Sequence, residues 1–199
     1  MTTTGPSLGM LVTALDQTGA LIERIKPEQA SLPTPCRSWD LRELVNHVVE
    51  DLDHFTSSAK GEQWREGGDD LIGDDWTRAY RQAADGLLEV WSRPGQLDRT
   101  IRLPFGERPA SWQLGQHISD IAVHAWDIAR ASGQSTELDP EVGRTSLEWG
   151  RENLTPQFRG EESEGSTFGP EVPVPDDAPI YDRLAGWFGR DPANVADGR

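Results

Sequence analysis

The chain has 199 residues, which is long enough for one domain with its own hydrophobic core. Its 34 acidic and 19 basic residues give a formal net charge of -15, which argues against nucleic acid or an anionic membrane as a partner, because phosphate binding relies on Lys and Arg. The chain has a single cysteine, Cys36, and therefore no disulfide framework. The first ten residues lack the pattern of a secretory signal or membrane span, so we expect a cytoplasmic protein. We expect one domain over residues 1–199.

Two amphipathic helices are predicted in the first third of the chain. Apolar residues at helical spacing predict a helix over residues 8–25, which Pro27 would end. A second helix is predicted over residues 41–60, where Ser38 or Asp40 could cap the first turn by accepting its free amide hydrogen bonds.

The middle of the chain predicts two longer helices around a short extended segment. Residues 74–93 have helical spacing and are followed by a Pro-Gly stop, whereas residues 97–112 mix β-branched and charged residues with turn signals. We therefore expect an extended arm or short hairpin there. Another helix is predicted over residues 110–131 and closes at Gly133, and a further one covers residues 140–153.

The last part of the chain predicts a loop and one short helix. Residues 159–179 are acidic and rich in Pro and Gly, which is typical of a solvated surface loop, and the short helix follows within residues 180–192. Five or six helices with one weak β signal predict an all-α domain built around four principal helices.

The helix over residues 110–131 carries unusual metal-binding potential. Asp120 and His124 are four residues apart and therefore lie on one face, whereas His117 and His124 are about 10 Å apart along the helix axis. On the second helix, His47 adjoins the apolar stripe. Two histidines and one carboxylate, with one position left open, are typical of a reactive divalent metal site. The spacing thus favours His47, Asp120 and His124 as ligands.

The same residues also fit a fold without a metal. A helical histidine beside apolar residues is typical of a hydrogen-bonded, partly buried side chain. Asp120 could accept a hydrogen bond from His124, and Asp127 could cap the helix or pair with Arg130. Spacing alone leaves both interpretations open.

The sequence assigns no metal-binding or catalytic role to its other histidines, its cysteine or its tryptophans. Cys36 fits a small apolar filler beneath a loop, and the sequence assigns nothing to His54 or His117. Trp39 or Trp126 could wall a pocket, but both are also typical core residues.

Three stretches carry a resemblance to a known family: TPCRSWDLRELVNHVVEDLDHF, SDIAVHAWDIARASG and DRLAGWFGRDP. They resemble the DinB/YfiT-like superfamily and, within it, the metal-binding domain of the mycothiol-dependent maleylpyruvate isomerases. The resemblance implies an up-down-down-up four-helix bundle with a metal at one end of its core, held by His47, Asp120 and His124. The isomerases have Glu where this chain has Asp120, and the shorter side chain leaves the identity and affinity of the metal open.

The resemblance also implies a chemistry. It implies a divalent metal, zinc or else nickel, and mycothiol or a similar low-molecular-weight thiol as cosubstrate. Because zinc favours thiolate over thiol, we expect a thiol-dependent transferase or isomerase acting on a small electrophile. The alternatives are a non-catalytic metal- or ligand-binding bundle and a metal-dependent hydrolase with bound water as nucleophile. A homodimer is expected by analogy with the family.

Overall fold

Four long helices form the frame of the fold. The computed structural model describes residues 5–36, 39–62, 70–103, 106–160 and 168–193. The long helices are α1 (Leu8–Ile22), α2 (Leu41–Lys60), α3 (Trp76–Trp91) and α4 (Ala110–Ser132). The other elements of the described residues are two shorter helices, α5 (Pro140–Asn153) and α6 (Ile180–Trp187), a hairpin of β1 (Thr100–Leu103) and β2 (Gly106–Pro109), and three short 3₁₀ turns.

The four long helices pack as a bundle. Each of α1 and α2 contacts both α3 and α4, so the core lies between the two pairs. Helix α5 packs along α4, and α6 contacts both α5 and α4. The prediction of an all-α, DinB/YfiT-like four-helix bundle with short extra helices and a small extended arm is therefore confirmed. None of the described helices is long and apolar enough to cross a membrane.

The bounds of the first two helices follow from local signals at their ends. Helix α1 ends at Ile22, three residues before the predicted end, because the amides of Arg24 and Ile25 bond to carbonyls three residues back, which is not the α-helical pattern. Pro27 begins a separate 3₁₀ turn. Helix α2 has its predicted bounds. The side chain of Asp40 accepts a hydrogen bond from the backbone of Glu43, and the side chain of Glu43 accepts one from the backbone of Asp40. The other predicted cap, Ser38, lies outside the described residues.

Helix α4 is the central element of the fold. It is buried on nearly all sides, as expected of a helix that several others cover. It ends at Ser132, and the glycine predicted to close it, Gly133, has a left-handed φ of 70°, which favours glycine. The hairpin before α4 confirms the predicted extended arm. Of the predicted acidic loop, residues 161–167 lie outside the described part of the chain.

Candidate metal centre

Two histidines from distant segments meet where α2 and α4 pack. The ring centroids of His47 on α2 and His124 on α4 lie 5.1 Å apart, with the ring planes nearly perpendicular at 85°. Trp39, in the segment before α2, lies against both: its ring centroid is 4.0 Å from that of His47 and 6.4 Å from that of His124. The structure therefore brings together the two imidazoles that the sequence singled out, and Trp39 walls this place.

Two carboxylates lie beside the imidazoles. Asp51, one turn after His47 on α2, has its Oδ2 2.9 Å from His47 Nε2. Asp120, one turn before His124 on α4, has its Oδ1 4.0 Å from His124 Nε2, which is too long for a hydrogen bond. Ligand atoms of His47, Asp51 and His124, one from each, all lie within 4.8 Å of one another. Asp120 adjoins this trio without belonging to it.

Asp51 is a residue that the sequence analysis missed. The signal was present, since His47 and Asp51 have the same spacing of four residues as Asp120 and His124 and must share a helix face. The role of Asp120 as a ligand remains a prediction.

The electrostatics of the cluster favour a positive charge. Burial and then the negative charge of Asp51 raise the pKa of Asp120 to about 6, against the lowering effect of His124 and His47. Burial by itself would lower the pKa of His124, but the charge of Asp120 and a hydrogen bond with Asp127 outweigh it and raise that pKa well above its usual value. The cluster therefore attracts a proton or a cation.

The second ring nitrogen of His124, Nδ1, contacts the buried carboxylate of Asp127. Its Nδ1 lies 3.1 Å from Oδ2 of Asp127, whose side chain is fully buried. Arg190, which follows α6, donates to the same carboxylate from Nη2 at 2.9 Å and from Nε at 3.2 Å to Oδ1. Burial alone would raise the pKa of Asp127, but the Arg190 guanidinium and His124 hold it well below its usual range. An ionised Asp127 can only accept, so Nδ1 carries the proton and Nε2 remains for the cluster.

The partner of Asp127 differs from the one considered in the sequence analysis. Asp127 pairs with Arg190 rather than with Arg130. Arg130 instead donates to the carbonyl of Pro192, and its guanidinium lies over the ring of Trp126. This pairing depends on where the chain returns after α6, which no local pattern indicates.

Cys36 packs against the hydrophobic core, as the sequence indicates, and it is also part of this polar network. Its Sγ donates to Asp127 Oδ2 at 3.3 Å and accepts from Arg190 Nη2 at 3.3 Å. Burial raises the pKa of the Cys36 thiol. Cys36, His124 and Asp127 form a second group close enough to hold an ion. Because the guanidinium of Arg190 already places a positive charge there, the group with His47 and Asp51 is the better candidate for a metal.

The other histidine of α4 belongs to the core. His117 is 1 % exposed, stacks on Phe55 with ring centroids 4.1 Å apart, and accepts a hydrogen bond at Nδ1 from Trp91 Nε1. Trp126 is likewise fully buried and donates to Asp182, so it does not wall the site. His54 joins neither group of potential ligands within the described ranges.

Fold and site define a helical-bundle protein with a candidate metal centre between two of its helices. The chain belongs to the family of the mycothiol maleylpyruvate isomerase N-terminal domain, whose model matches residues 11–129. This membership confirms the resemblance seen in the sequence.

Two curated relatives share this chain's sequence over most of its length. Both are uncharacterized proteins of Mycobacterium tuberculosis, one from strain CDC 1551 / Oshkosh and one from strain ATCC 25618 / H37Rv. Each is 36% identical over 180 residues, covering 89% of this chain and 93% of the relative.

Solved structures show the same fold. The crystal structure of the mycothiol-dependent maleylpyruvate isomerase matches with a TM-score of 0.58 at 14% identity, over 89% of this chain and 85% of that one. A histidine-to-alanine mutant of that isomerase matches with a TM-score of 0.59 at 13% identity, over the same shares of the two chains. At this identity the likeness concerns the fold alone.

Proposed function

We propose that this protein is a metal-dependent enzyme that uses mycothiol or a similar low-molecular-weight thiol to isomerise a small electrophile or to transfer the thiol to it. His47 and His124 hold the metal, together with Asp120, Asp51 or both. The observation that carries the proposal is the meeting of two imidazoles and two carboxylates from α2 and α4 at one place in the bundle. Membership of the family supports the thiol and the isomerase chemistry, and the solved isomerase supports the fold that holds the site.

The donor set suits a divalent cation such as zinc. Zinc binds imidazole nitrogen and carboxylate oxygen at about 2.0–2.2 Å, so tetrahedral ligand atoms lie roughly 3.3–3.6 Å apart. The ligand atoms of His47, Asp51 and His124 lie within 4.8 Å of one another, which is compatible with their binding one ion. Asp120 is one methylene shorter than the Glu of the isomerases and reaches less far. Asp51 on the facing helix offers a second carboxylate that can bind the metal in its place. Nickel accepts the same donors and is the second choice.

The chain's own residues restrict what the site can do. When bound, the metal supplies a positive charge that lowers the pKa of a thiol and so provides a thiolate at neutral pH. Asp51 and Asp120 offset part of that charge, and Trp39 shields the face of His47 from water. Cys36 is the chain's one thiol, and its raised pKa disfavours the thiolate. The site therefore favours an external thiol over Cys36 as the nucleophile.

Metal content is the first test of the proposal. We expect elemental analysis to find about one zinc or nickel ion per chain in the wild type. His47→Ala removes an imidazole and is expected to lose the metal, whereas His54→Ala, on the same helix but outside the cluster, keeps it. Asp51→Asn and Asp120→Asn, measured side by side, identify the carboxylate ligand. Equal metal content in His47→Ala and His54→Ala contradicts the assignment.

A thiol-consumption assay tests the activity. The purified protein is given mycothiol and a panel of small electrophiles that includes maleylpyruvate, with and without chelator. We expect turnover that needs both thiol and metal. Product without any added thiol indicates a hydrolase instead, and metal binding without turnover of any electrophile indicates a non-catalytic bundle. Cytoplasmic location and homodimerisation remain predictions, and light scattering tests the latter.

A further inference from the structure

We infer that Arg190 is a positioning residue for the metal centre, acting through Asp127 on the orientation of His124. The effect on metal binding rests on the proposed function, whereas the contacts among the three side chains are hydrogen bonds of the described residues. Arg190 lies outside residues 11–129, the part of the chain that the family model matches. It belongs to the GRDP stretch at the end of α6, to which the proposed function assigns no role.

Three side chains in contact, those of Arg190, Asp127 and His124, connect the segment after α6 to the candidate metal ligand. Arg190 grips both carboxylate oxygens of Asp127, with contacts between 2.9 and 3.3 Å. Asp127 Oδ2 in turn accepts from His124 Nδ1 at 3.1 Å. The two-pronged contact leaves the carboxylate no freedom to rotate, since both of its oxygens are engaged. The imidazole that donates to this carboxylate is therefore held in one orientation.

Arg190 is itself placed by a tight turn. Its backbone amide donates to the carbonyl of Ala185, and Gly189 before it has a left-handed φ of 88°. A Cβ at Gly189 would lie 2.8 Å from Cα of Gly169, so only glycine fits. Arg190 Nη1 also donates to the carbonyl of Phe188. The guanidinium thus reaches Asp127 from a fixed backbone, and its side chain is only 11% exposed.

The hydrogen bond at Nδ1 leaves Nε2 of His124 available to bind a metal. With Nδ1–H donated to Asp127, Nε2 is the atom directed towards His47 and the carboxylates. A carboxylate behind a metal-binding imidazole fixes its ring and raises its basicity, and loss of such partners typically costs 10–100-fold in metal affinity. Cys36 contacts both Asp127 and Arg190, so it packs against this pair.

Metal affinity of matched arginine variants tests the inference. We expect Arg190→Gln to weaken zinc binding about 10–100-fold in competition with a chelating dye, while circular dichroism stays helical. Arg190→Lys restores part of the affinity, because it keeps the charge but not the two-pronged contact. The control is Arg130→Gln, which removes a hydrogen bond to Pro192 in the same C-terminal segment and is expected to stay within two-fold of wild type.

A second readout needs no metal. In the protein stripped of metal, nuclear magnetic resonance of ¹⁵N-labelled histidine should show a slowly exchanging Nδ1–H for His124 in wild type and Arg130→Gln, and its loss in Arg190→Gln. If Arg190→Gln does not fold, Arg190→Lys, which keeps the charge but not the bidentate contact, serves for both measurements.

The outcomes separate the inference from the proposed function. A folded Arg190→Gln protein that binds zinc as wild type does, or that keeps the Nδ1–H signal, overturns the positioning role. A wild type that binds no zinc but shows the Arg190-dependent signal overturns the proposed metal site, while it supports the role of Arg190 in orienting His124. Loss of affinity in Arg130→Gln equal to that in Arg190→Gln means that the segment acts only as packing, which overturns the inference.

Discussion

His117 and His124 lie seven residues apart on α4 but have opposite chemical roles. His117 is enclosed by Phe55 and Trp91, and burial lowers its pKa to about 3. His124 faces carboxylates on both sides of its ring, and they raise its pKa. At the scale of single residues, the surroundings and not the residue type decide which histidine can serve a metal.

The buried neutral His117 predicts a loss of stability in mild acid. Its pKa is 6.5 in the unfolded chain and about 3 in the folded one, so below pH 6.5 the unfolded state binds the extra proton. The stability that His117 contributes is complete above pH 6.5 and falls as the pH drops towards 3. Relative to His117→Gln, which does not titrate, the wild type should lose about 1.4 kcal/mol between pH 7.5 and 5.5.

Urea denaturation of both proteins at the two pH values measures this difference. Gln is chosen because its amide oxygen can still accept the hydrogen bond of Trp91. The absolute stability of the variant does not matter for the comparison. Parallel changes in the two proteins would mean that His117 is protonated, or exposed, in the folded state.

At the scale of elements, the close approach of α4 and α5 depends on a glycine. A Cβ at Gly115 on α4 would lie 2.9 Å from Nε1 of Trp149 on α5 and 3.0 Å from Cγ of Pro6. The indole cannot easily move away, because Nε1 donates to the carbonyl of Trp112. By contrast, a Cβ at Gly86 within α3 would meet nothing within 4 Å.

Alanine at these two glycines is expected to have opposite effects. Gly115→Ala overpacks the interface of α4 and α5 and should lower the free energy of unfolding by about 1–3 kcal/mol. Gly86→Ala only gains helix propensity and should raise it by about 0.5–1 kcal/mol. Chemical denaturation measures both, and a stabilised Gly115→Ala would show that the two helices do not approach as closely as described.

At the scale of the whole molecule, the candidate site joins separated parts of the chain. Trp39 precedes α2, His47 lies on α2, His124 lies on α4, and Arg190 follows α6. A ligand held there links these segments in the folded state only, so it stabilises folding by mass action. The net charge of -15 attracts cations in general, and any test must separate that effect from specific binding.

Thermal unfolding with two cations makes that separation. Zinc at 100 times its Kd should add about 2.7 kcal/mol to the free energy of unfolding, a rise in Tm of roughly 5–10 °C for a chain of this size. Magnesium at the same concentration screens charge but is poorly suited to imidazole ligands, so it should produce a much smaller shift. His47→Ala should abolish the excess zinc effect, and an equal shift for both cations would leave only general charge screening.

The sequence by itself determined the helices, because their signals are local. Apolar spacing predicted α2 and α5 at the bounds that the structure has. Asp40 marked the start of α2, and Gly133 marked the end of α4. Turn residues indicated the hairpin. The family likeness and helix spacing together selected His47, Asp120 and His124. Such signals act over three or four residues, which is the range that a sequence pattern can report.

Tertiary structure alone decided the chemistry around these residues. Arg190 and Asp127 are 63 residues apart, and no spacing rule joins them. The burial of His117 against Trp91 and the entry of Cys36 into a polar network likewise depend on how distant helices pack. A charge is stabilised or disfavoured by the groups within a few ångströms of it, and only the folded chain brings those groups into place.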